Sequence, residues 1–284
     1  MACRPKTLPA AAAPVVIGAA MAYGDGVFHF LSASLCLLCA LLIQIGTNLA
    51  NDYFDFKKGA DTAERIGPTR VTQAGLLSPQ AVKRSFIFVF AAAIAASFYL
   101  VIRGGLPIVI IGVFSIVSGI LYTAGPKPLG YIGLGELFVF IFFGPVAVAG
   151  TYYTQSLTWN NAAMLAGLGA GALSVSMLCV NNYRDISTDA LTGKSTLAVR
   201  FGRGFAQCEY IGSILFATAI PVYLYLITKE HFKIVFVSSI ILIAIPSIQV
   251  ILTKTDGPSL NQVLGFTGKL LIIYSILFSL GWIL

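Results

Sequence analysis

Charged side chains are scarce in this sequence: only 10% of its 284 residues are Asp, Glu, Lys or Arg, whereas 57% are hydrophobic. Soluble globular proteins carry about 25% charged residues. The composition therefore excludes a water-soluble enzyme, because so much apolar surface can be buried only in a lipid bilayer. At about 20 residues for each transmembrane helix, the chain has room for roughly nine of them plus their loops.

Histidine and cysteine are also rare. The two histidines, His29 and His231, lie far in sequence from the acidic clusters described below, which argues against a zinc or iron centre. Three of the five cysteines, Cys36, Cys39 and Cys179, fall inside apolar runs, so no disulfide framework is predicted. The net charge of +7 is not gathered into a basic patch with interleaved aromatic residues, so we expect no nucleic-acid partner.

Nine apolar runs predict nine membrane-spanning helices. The runs cover approximately residues 8–23, 28–50, 81–102, 106–122, 136–153, 161–181, 205–227, 232–252 and 263–284. With the N-terminus in the cytoplasm, fourteen of the eighteen Lys and Arg residues fall in inner loops and three in outer loops, the asymmetry that the positive-inside rule describes. We therefore expect an all-α integral membrane protein, a nine-helix bundle that forms a single membrane domain over residues 1–284. The remaining lysine, Lys269, lies inside the last run, where it either faces the bundle interior or snorkels to the inner surface.

Six of the eleven acidic residues lie in two long inner loops, residues 51–80 and 182–204. Each loop carries one pair of aspartates, Asp52 with Asp55 and Asp185 with Asp189. Spacings of three and four residues place each pair on one face of a helix that continues out of the membrane. Like charges at these spacings repel each other, so we expect a cation between them. The similarity of the two clusters predicts a pseudo-repeat that brings both pairs to one mouth of the bundle.

Amide side chains accompany both acidic pairs: Asn48 and Asn51 precede the first, and Asn182 precedes the second. Carboxylate and amide oxygens suit Mg²⁺, which proteins usually bind through one or two carboxylates together with substrate phosphates. Lys and Arg residues around both pairs therefore indicate a phosphorylated substrate, and the adjacent bilayer favours a polyprenyl diphosphate whose tail stays in the membrane. The alternative is that these acids only form salt bridges with nearby bases on a cytoplasmic surface.

Several sequence strings resemble the UbiA superfamily of membrane aromatic prenyltransferases. Its first Asp-rich motif, N-D-x-x-D, is matched by Asn51, Asp52 and Asp55, and its second, D-x-x-x-D, by Asp185 and Asp189. Within the superfamily the resemblance is strongest to the branch that prenylates a naphthoate. The strings that carry it are RPKTLPA at 4–10, GTNLANDYFDFKKGAD at 46–61, ERIGPTR at 64–70, YTAGPKPLGYIGLGE at 122–136 and GKSTLAVRFG at 193–202.

The resemblance implies a nine-span bundle in the bacterial inner membrane, with its active site on the cytoplasmic side. It also implies a Mg²⁺-dependent transfer of a polyprenyl group from polyprenyl diphosphate to 1,4-dihydroxy-2-naphthoate. In that reaction the prenyl group replaces the carboxylate, carbon dioxide and diphosphate are released, and the product is a demethylmenaquinone.

Residue chemistry and the resemblance together predict three groups of site residues. The predicted metal ligands are Asn48, Asp52, Asp55, Asp185 and Asp189. The predicted substrate-binding residues are Asn51, Asn182, Lys58, Asp61, Arg65, Arg70, Arg184 and Lys194, with the bases directed to diphosphate oxygens. The predicted catalytic residues are the four aspartates with Glu136, Tyr122 and Tyr131. Glu136 would orient or deprotonate a naphthol hydroxyl and the tyrosines would flank a carbocation; the alternatives are topology-determining bases and an interfacial belt of tyrosines.

Two other functions remain as alternatives. A prenyltransferase of the same superfamily with another acceptor, such as 4-hydroxybenzoate or homogentisate, has the same residue spacing. A secondary transporter would explain the many spans, but transporter sites usually lie near the membrane midplane. Here the acids gather at one surface, which favours the enzyme.

Overall fold

The computed structural model describes residues 2–60, 67 and 70–284, and this part of the chain is helical, with no strands. Its ten α-helices are α1 (Leu8–Gly24), α2 (Phe30–Lys57), α3 (Pro79–Gly104), α4 (Leu106–Leu121), α5 (Gly135–Ile141), α6 (Ala147–Ser156), α7 (Asn161–Leu191), α8 (Leu197–Thr228), α9 (Ile240–Thr253) and α10 (Gly257–Ile283). A 3₁₀ turn over Pro5–Thr7 leads into α1, another 3₁₀ segment over Phe232–Ser239 leads into α9, and a π-helical segment over Phe142–Val146 joins α5 to α6.

Eight helical units of the described residues are long and apolar enough to cross a membrane, with α5 and α6 forming one unit through the π-helical segment. The 16-residue α4 is a shorter apolar helix and completes the set of nine. The predicted all-α bundle of nine helices is therefore confirmed. Lys269, on α10, is exposed on the outside of the bundle, so it does not face the interior, and snorkelling along the lipid-facing surface is the alternative that fits.

The middle of the bundle depends on close packing between α7 and the kink that joins α5 to α6. Gly144, at this kink, has a non-helical backbone conformation with φ −121° and ψ −110°. A Cβ added to Gly167 would lie 2.7 Å from backbone atoms of Gly144 and Pro145, and one added to Gly171 would lie 3.2 Å from the Gly144 Cα. Small residues permit this backbone approach in membrane helices, and the contact fixes the position of α7 relative to α5.

Both acidic pairs lie on helices at the same end of the bundle, which we call the aspartate end. Helix α2 continues to Lys57 and α7 continues to Leu191, so the two predicted inner loops begin as helical extensions. Helix α8 then starts after Thr196, whose hydroxyl oxygen accepts a hydrogen bond from the Val199 amide at 3.3 Å, as an N-cap residue does. The connection from α7 to α8 is therefore short, and it stays beside the acidic pairs.

A separate acid, Asp25, joins helices at the opposite end of the bundle. Its carboxylate accepts hydrogen bonds from the Tyr152 hydroxyl at 2.7 Å and from the Trp282 indole N–H at 3.0 Å. The His231 ring stacks on Trp282, with the ring centroids 4.0 Å apart. Because these contacts connect α1, α6 and α10, Asp25 has a structural role there and lies away from the candidate site.

Candidate active site

A cavity of about 370 Å³ enters the bundle from the aspartate end. Asp55, Asp189 and Lys194 line its mouth, and mostly apolar or small side chains of α2, α3, α4 and α6 line its deeper walls. Along α2 the lining residues extend from Asp55 back to Cys36, which is about 28 Å at a rise of about 1.5 Å per residue. The hydrocarbon core of a bilayer is about 30 Å thick. A charged mouth and a deep apolar interior of this length suit an amphiphile with an anionic head.

Asp55 is the acid at which several elements meet. It is only 1% exposed, and its Oδ2 accepts a hydrogen bond from Arg70 Nη2 at 2.9 Å. Its Oδ1 accepts a hydrogen bond from the Tyr131 hydroxyl at 2.8 Å, and the Lys194 ammonium lies 3.6 Å from Oδ2. Hydrogen bonds to an ionised acceptor are stronger than those between neutral groups, so Asp55 organises the mouth of the cavity.

Lys194 connects the two acidic pairs. Its ammonium lies 3.6 Å from Asp55 Oδ2 and 3.8 Å from Asp189 Oδ1. The two carboxylate oxygens are therefore at most about 7.4 Å apart, the sum of these contacts. The structure thus brings residues of the first and second acidic pairs together at one mouth.

Asp52 takes a different direction from its predicted partner Asp55. Its two carboxylate oxygens accept hydrogen bonds from the backbone amides of Val71 and Thr72, both at 3.1 Å, and it is not among the residues that line the cavity. An α-helix turns by about 100° per residue. The side chain of Asn51, four residues before Asp55, therefore points more nearly in the same direction as Asp55 than the side chain of Asp52 does. That Asp52 and Asp55 share one cation stays a prediction; in this structure the Asp52 carboxylate holds the end of the α2–α3 connection.

The amide side chains of α2 share the cavity with Asp55. Asn51 Oδ1 accepts a hydrogen bond from the Thr123 hydroxyl at 2.9 Å. Asn48 donates through Nδ2 to the Cys3 carbonyl at 3.0 Å and to the Thr7 hydroxyl at 3.1 Å. Both asparagines line the cavity, so they stand where oxygen ligands for a cation are required.

Arg184 neutralises Asp185, the first acid of the second pair. The guanidinium donates through Nε to Asp185 Oδ1 at 2.8 Å and through Nη2 to Oδ2 at 2.6 Å. It also donates to the side-chain oxygens of Asn181 and Asn261, both at 2.7 Å. Arg184 is 3% exposed and does not line the cavity, whereas Asp185 does. The contact of Arg184 with diphosphate stays a prediction; in this structure its guanidinium is bound to Asp185.

Tyr131 lines the cavity, and its ring lies against two lysines. The ammonium groups of Lys58 and Lys194 each lie 4.9 Å from its ring centroid, a cation–π distance. Lys58 also donates to the Gly125 carbonyl at 2.8 Å. Partial burial lowers the pKa of Lys58, and the nearby Asp55 carboxylate opposes this shift. Tyr131 therefore positions the two bases next to Asp55.

Glu136 stands behind Asn182 as seen from the cavity. Glu136 is 7% exposed, and its Oε1 accepts a hydrogen bond from Asn182 Nδ2 at 2.7 Å. Asn182 lines the cavity and Glu136 does not, so Glu136 reaches the cavity wall through Asn182, and its contact with a naphthol hydroxyl stays a prediction. Glu136 is thus a positioning residue.

Tyr122 lines the cavity close to the mouth. Two glycines make room for it, since a Cβ on Gly130 would lie 2.8 Å from the Tyr122 ring and a Cβ on Gly135 would lie 2.9 Å from its hydroxyl oxygen. Burial raises the pKa of Tyr122, and the negative charges of Glu136 and Asp55 raise it further. The phenol therefore stays protonated and is available as a hydrogen-bond donor.

Two predicted substrate-binding residues, Asp61 and Arg65, lie outside the described residues. Sequence reasoning missed Thr123 and Asn261, which bind Asn51 and Arg184. Neither belongs to an acidic motif, and Asn261 lies on α10, 77 residues from its partner. Only the tertiary packing reveals them.

The side-chain oxygens at the mouth of the cavity suit a hard divalent cation as ligands. Within the described residues, no group of three His, Cys, Asp or Glu side chains is already gathered as a metal site. Asp55 and Asp189 nevertheless hold one positive charge, the Lys194 ammonium, between them, and Asn51 lines the same cavity. Carboxylate and amide oxygens are the ligands that Mg²⁺ prefers, so the residues present fit this ion.

Comparison with known proteins places these features in a family. The model of the UbiA prenyltransferase family matches residues 11–278. A 1,4-dihydroxy-2-naphthoate octaprenyltransferase of Escherichia coli is 40% identical over 222 residues, which cover 75% of this chain and 72% of the relative. Another, from Mycobacterium tuberculosis, is 41% identical over 225 residues, which cover 79% and 77% of the two chains.

A solved structure agrees with the fold. The structure of a UbiA homologue from Archaeoglobus fulgidus bound to GPP and Mg²⁺ superposes with a TM-score of 0.71 at 17% sequence identity. The superposition covers 99% of this chain and 97% of that chain. At this identity the likeness shows that the two chains share an overall fold.

Proposed function

This chain belongs to the UbiA prenyltransferase family, and we propose that it transfers a polyprenyl group from a polyprenyl diphosphate to 1,4-dihydroxy-2-naphthoate with the help of Mg²⁺. The reaction releases carbon dioxide and diphosphate and yields a demethylmenaquinone. Relatives about 40% identical that carry the name 1,4-dihydroxy-2-naphthoate octaprenyltransferase support this acceptor.

One structural observation carries the proposal. Asp55 and Asp189 meet at the Lys194 ammonium, and this charged mouth opens into an apolar cavity about 28 Å deep. The mouth suits a metal-bound diphosphate, and the depth suits an isoprenoid chain. A soluble phosphorylated substrate would have no need for the apolar part.

The acids would hold the metal. Asp55, Asp185 and Asp189, with the amide of Asn51, line the mouth and would bind Mg²⁺, whose charge would stabilise the departing diphosphate. Arg184 orients Asp185 through its two hydrogen bonds.

The bases would hold the diphosphate itself. Lys58 and Lys194 stand over the Tyr131 ring beside Asp55, and Arg70 binds the same acid. Lysine presents a point charge with rotatable donors, so the two ammonium groups can turn toward diphosphate oxygens while the ring keeps their stems in place.

The acceptor would lie between the mouth and the apolar interior. As the C–O bond to diphosphate breaks, the first prenyl carbon becomes electron-deficient and must be shielded from water. The ring carbon that bears the carboxylate attacks it, the C–C bond to the carboxylate then breaks, and that electron pair restores the aromatic ring. Asn182, held by Glu136, and the protonated Tyr122 line the cavity and would orient the naphthol oxygens.

An acceptor competition tests the proposed function. Protein purified in detergent is incubated with Mg²⁺, geranylgeranyl diphosphate and either 1,4-dihydroxy-2-naphthoate or 4-hydroxybenzoate, and prenylated product and released carbon dioxide are measured. We expect product and carbon dioxide with the naphthoate only. Product with 4-hydroxybenzoate alone would show a different acceptor, and Mg²⁺-independent solute uptake in proteoliposomes would show a transporter.

We further propose that the chain resides in a bacterial inner membrane with the aspartate end facing the cytoplasm. The distribution of Lys and Arg over the loops supports this orientation. Cys3 is exposed and lies at the aspartate end, where its carbonyl accepts a hydrogen bond from Asn48. A membrane-impermeant maleimide should therefore label Cys3 in inverted vesicles and not in right-side-out vesicles, with Cys3→Ser as the control.

A further inference from the structure

Helix α4 contributes residues with small side chains to one wall of the cavity. Gly112, Ser115 and Gly119 are among them. Gly119 is explained by packing, because a Cβ there would collide with the Thr47 hydroxyl on α2. Gly112 is different, because a Cβ built on it meets no heavy atom within 4 Å. The space beside Gly112 therefore belongs to the cavity and not to a helix contact.

No local feature of the backbone or of helix packing explains the glycine at position 112. Gly112 lies inside α4 (Leu106–Leu121) and is not one of the residues with positive φ. Glycine is the least favourable residue in a helix interior apart from proline. A position that carries glycine without a turn or a close helix contact is consistent with a need for open space in the cavity.

We infer that Gly112 keeps the cavity open to long prenyl tails, an inference that rests on the function proposed above. Gly112 lies ten residues from Tyr122 at the mouth end of α4, which is about 15 Å along the helix. The geranyl main chain has seven carbon–carbon bonds and reaches at most roughly 10 Å at about 1.5 Å per bond. The geranylgeranyl main chain has fifteen and reaches roughly 22 Å. Only the longer tail passes Gly112.

A side chain at this position would close the passage. Truncation of one buried leucine in another protein opened a cavity of about 150 Å³, so adding a leucine side chain would consume a similar volume of the 370 Å³ present here. The part of the cavity between Gly112 and the mouth would remain open. Long tails should therefore lose access while short tails keep it.

The experiment compares two donors in four proteins. Wild type, Gly112→Ala, Gly112→Leu and Val113→Leu are assayed with geranyl and geranylgeranyl diphosphate and the same acceptor. Val113 is the matched control, because it is the next residue along α4 and is 53% exposed away from the cavity. We expect Gly112→Leu to lower the ratio of kcat/KM for geranylgeranyl over geranyl by tenfold or more, Gly112→Ala to lower it less, and Val113→Leu to leave it unchanged.

Two results would overturn this inference. One is an unchanged ratio in a folded Gly112→Leu protein, which would mean that the tail does not pass this residue. The other is aggregation of Gly112→Leu while Val113→Leu remains monodisperse, which would mean that the space is not open. Failure of wild type to transfer either group would instead refute the proposed function, so the two failures are distinguishable.

Discussion

The position of Asp52 yields a prediction that separates a loop anchor from a metal ligand. Asp52 is 2% exposed, and both of its carboxylate oxygens accept backbone hydrogen bonds, from Val71 and Thr72 at 3.1 Å. The residue before Val71 is Arg70, which binds Asp55. Asp52→Ala should therefore release the end of the α2–α3 connection and remove Arg70 from the mouth of the cavity.

The size of the effect follows from the two hydrogen bonds. Each hydrogen bond to a charged group contributes about 1.5–3 kcal/mol, so the loss of both weakens docking of this segment by at least about 3 kcal/mol. At 1.4 kcal/mol for each factor of ten, the docked fraction relative to the undocked fraction falls by a factor of about 100. Turnover should fall with it, although Asp52 does not line the cavity.

Two measurements check this explanation. We expect Asp52→Ala to increase cleavage by a protease between α2 and α3, and we expect excess Mg²⁺ to leave its turnover low. Asp189→Asn is the matched control: it should raise the Mg²⁺ concentration for half-maximal activity and leave cleavage unchanged. If Asp52→Ala behaves like this control, with restored activity at high Mg²⁺ and normal protease resistance, Asp52 is a metal ligand and the loop-anchor assignment is wrong.

Three further predictions concern residues that position the charged groups. Tyr131→Phe keeps the ring under the lysines and loses one hydrogen bond to an acid, so kcat/KM should fall by roughly tenfold or more, whereas Tyr131→Leu should also raise the KM for the prenyl diphosphate. Lys194→Met removes the positive charge between two carboxylates. The affinity for Mn²⁺ in the absence of substrate, measured by electron paramagnetic resonance, should therefore increase while turnover falls; a lower affinity would contradict this. Asn261→Ala removes a hydrogen-bond acceptor of Arg184, which orients Asp185, so the Mg²⁺ concentration for half-maximal activity should rise. Asn261→Asp keeps an acceptor and should return this concentration to the wild-type value. Equal values in wild type and both variants would rule out the positioning role.

The arrangement of the bundle follows from the sequence because hydrophobicity is a property of whole segments. Each apolar run matches a helix of the structure, and the prediction that the runs end in helical extensions is met by α2 and α7. Close packing at Gly167 and Gly171 also follows from their spacing, since small residues four apart lie on one face. These features depend on averages over many residues, which tolerate local errors.

The direction of individual side chains does not follow in the same way. Asp52 and Asn51 are neighbours in sequence, and a helix places them about 100° apart, yet nothing in the spacing states which of them faces the cavity. Arg184 is equally ambiguous, because the acceptor Asn261 that fixes it comes from α10. Rotation of α2 and docking of α10 are set by tertiary packing, so the sequence predicts which residues cluster but not which side chain each of them contacts.

The contacts of the bases support the proposal that Lys194, rather than Arg184, turns toward the substrate. Arg184 makes hydrogen bonds of 2.8 and 2.6 Å to Asp185, and breaking them would leave a buried charge unpaired, which is strongly destabilising. Lys194 lies farther from its acids, at 3.6 Å from Asp55 and 3.8 Å from Asp189. When a divalent cation enters between these carboxylates together with an anionic diphosphate, Lys194 can turn from the acids to the phosphate oxygens. The acids would then have a positive neighbour both before the substrate binds and while it is bound.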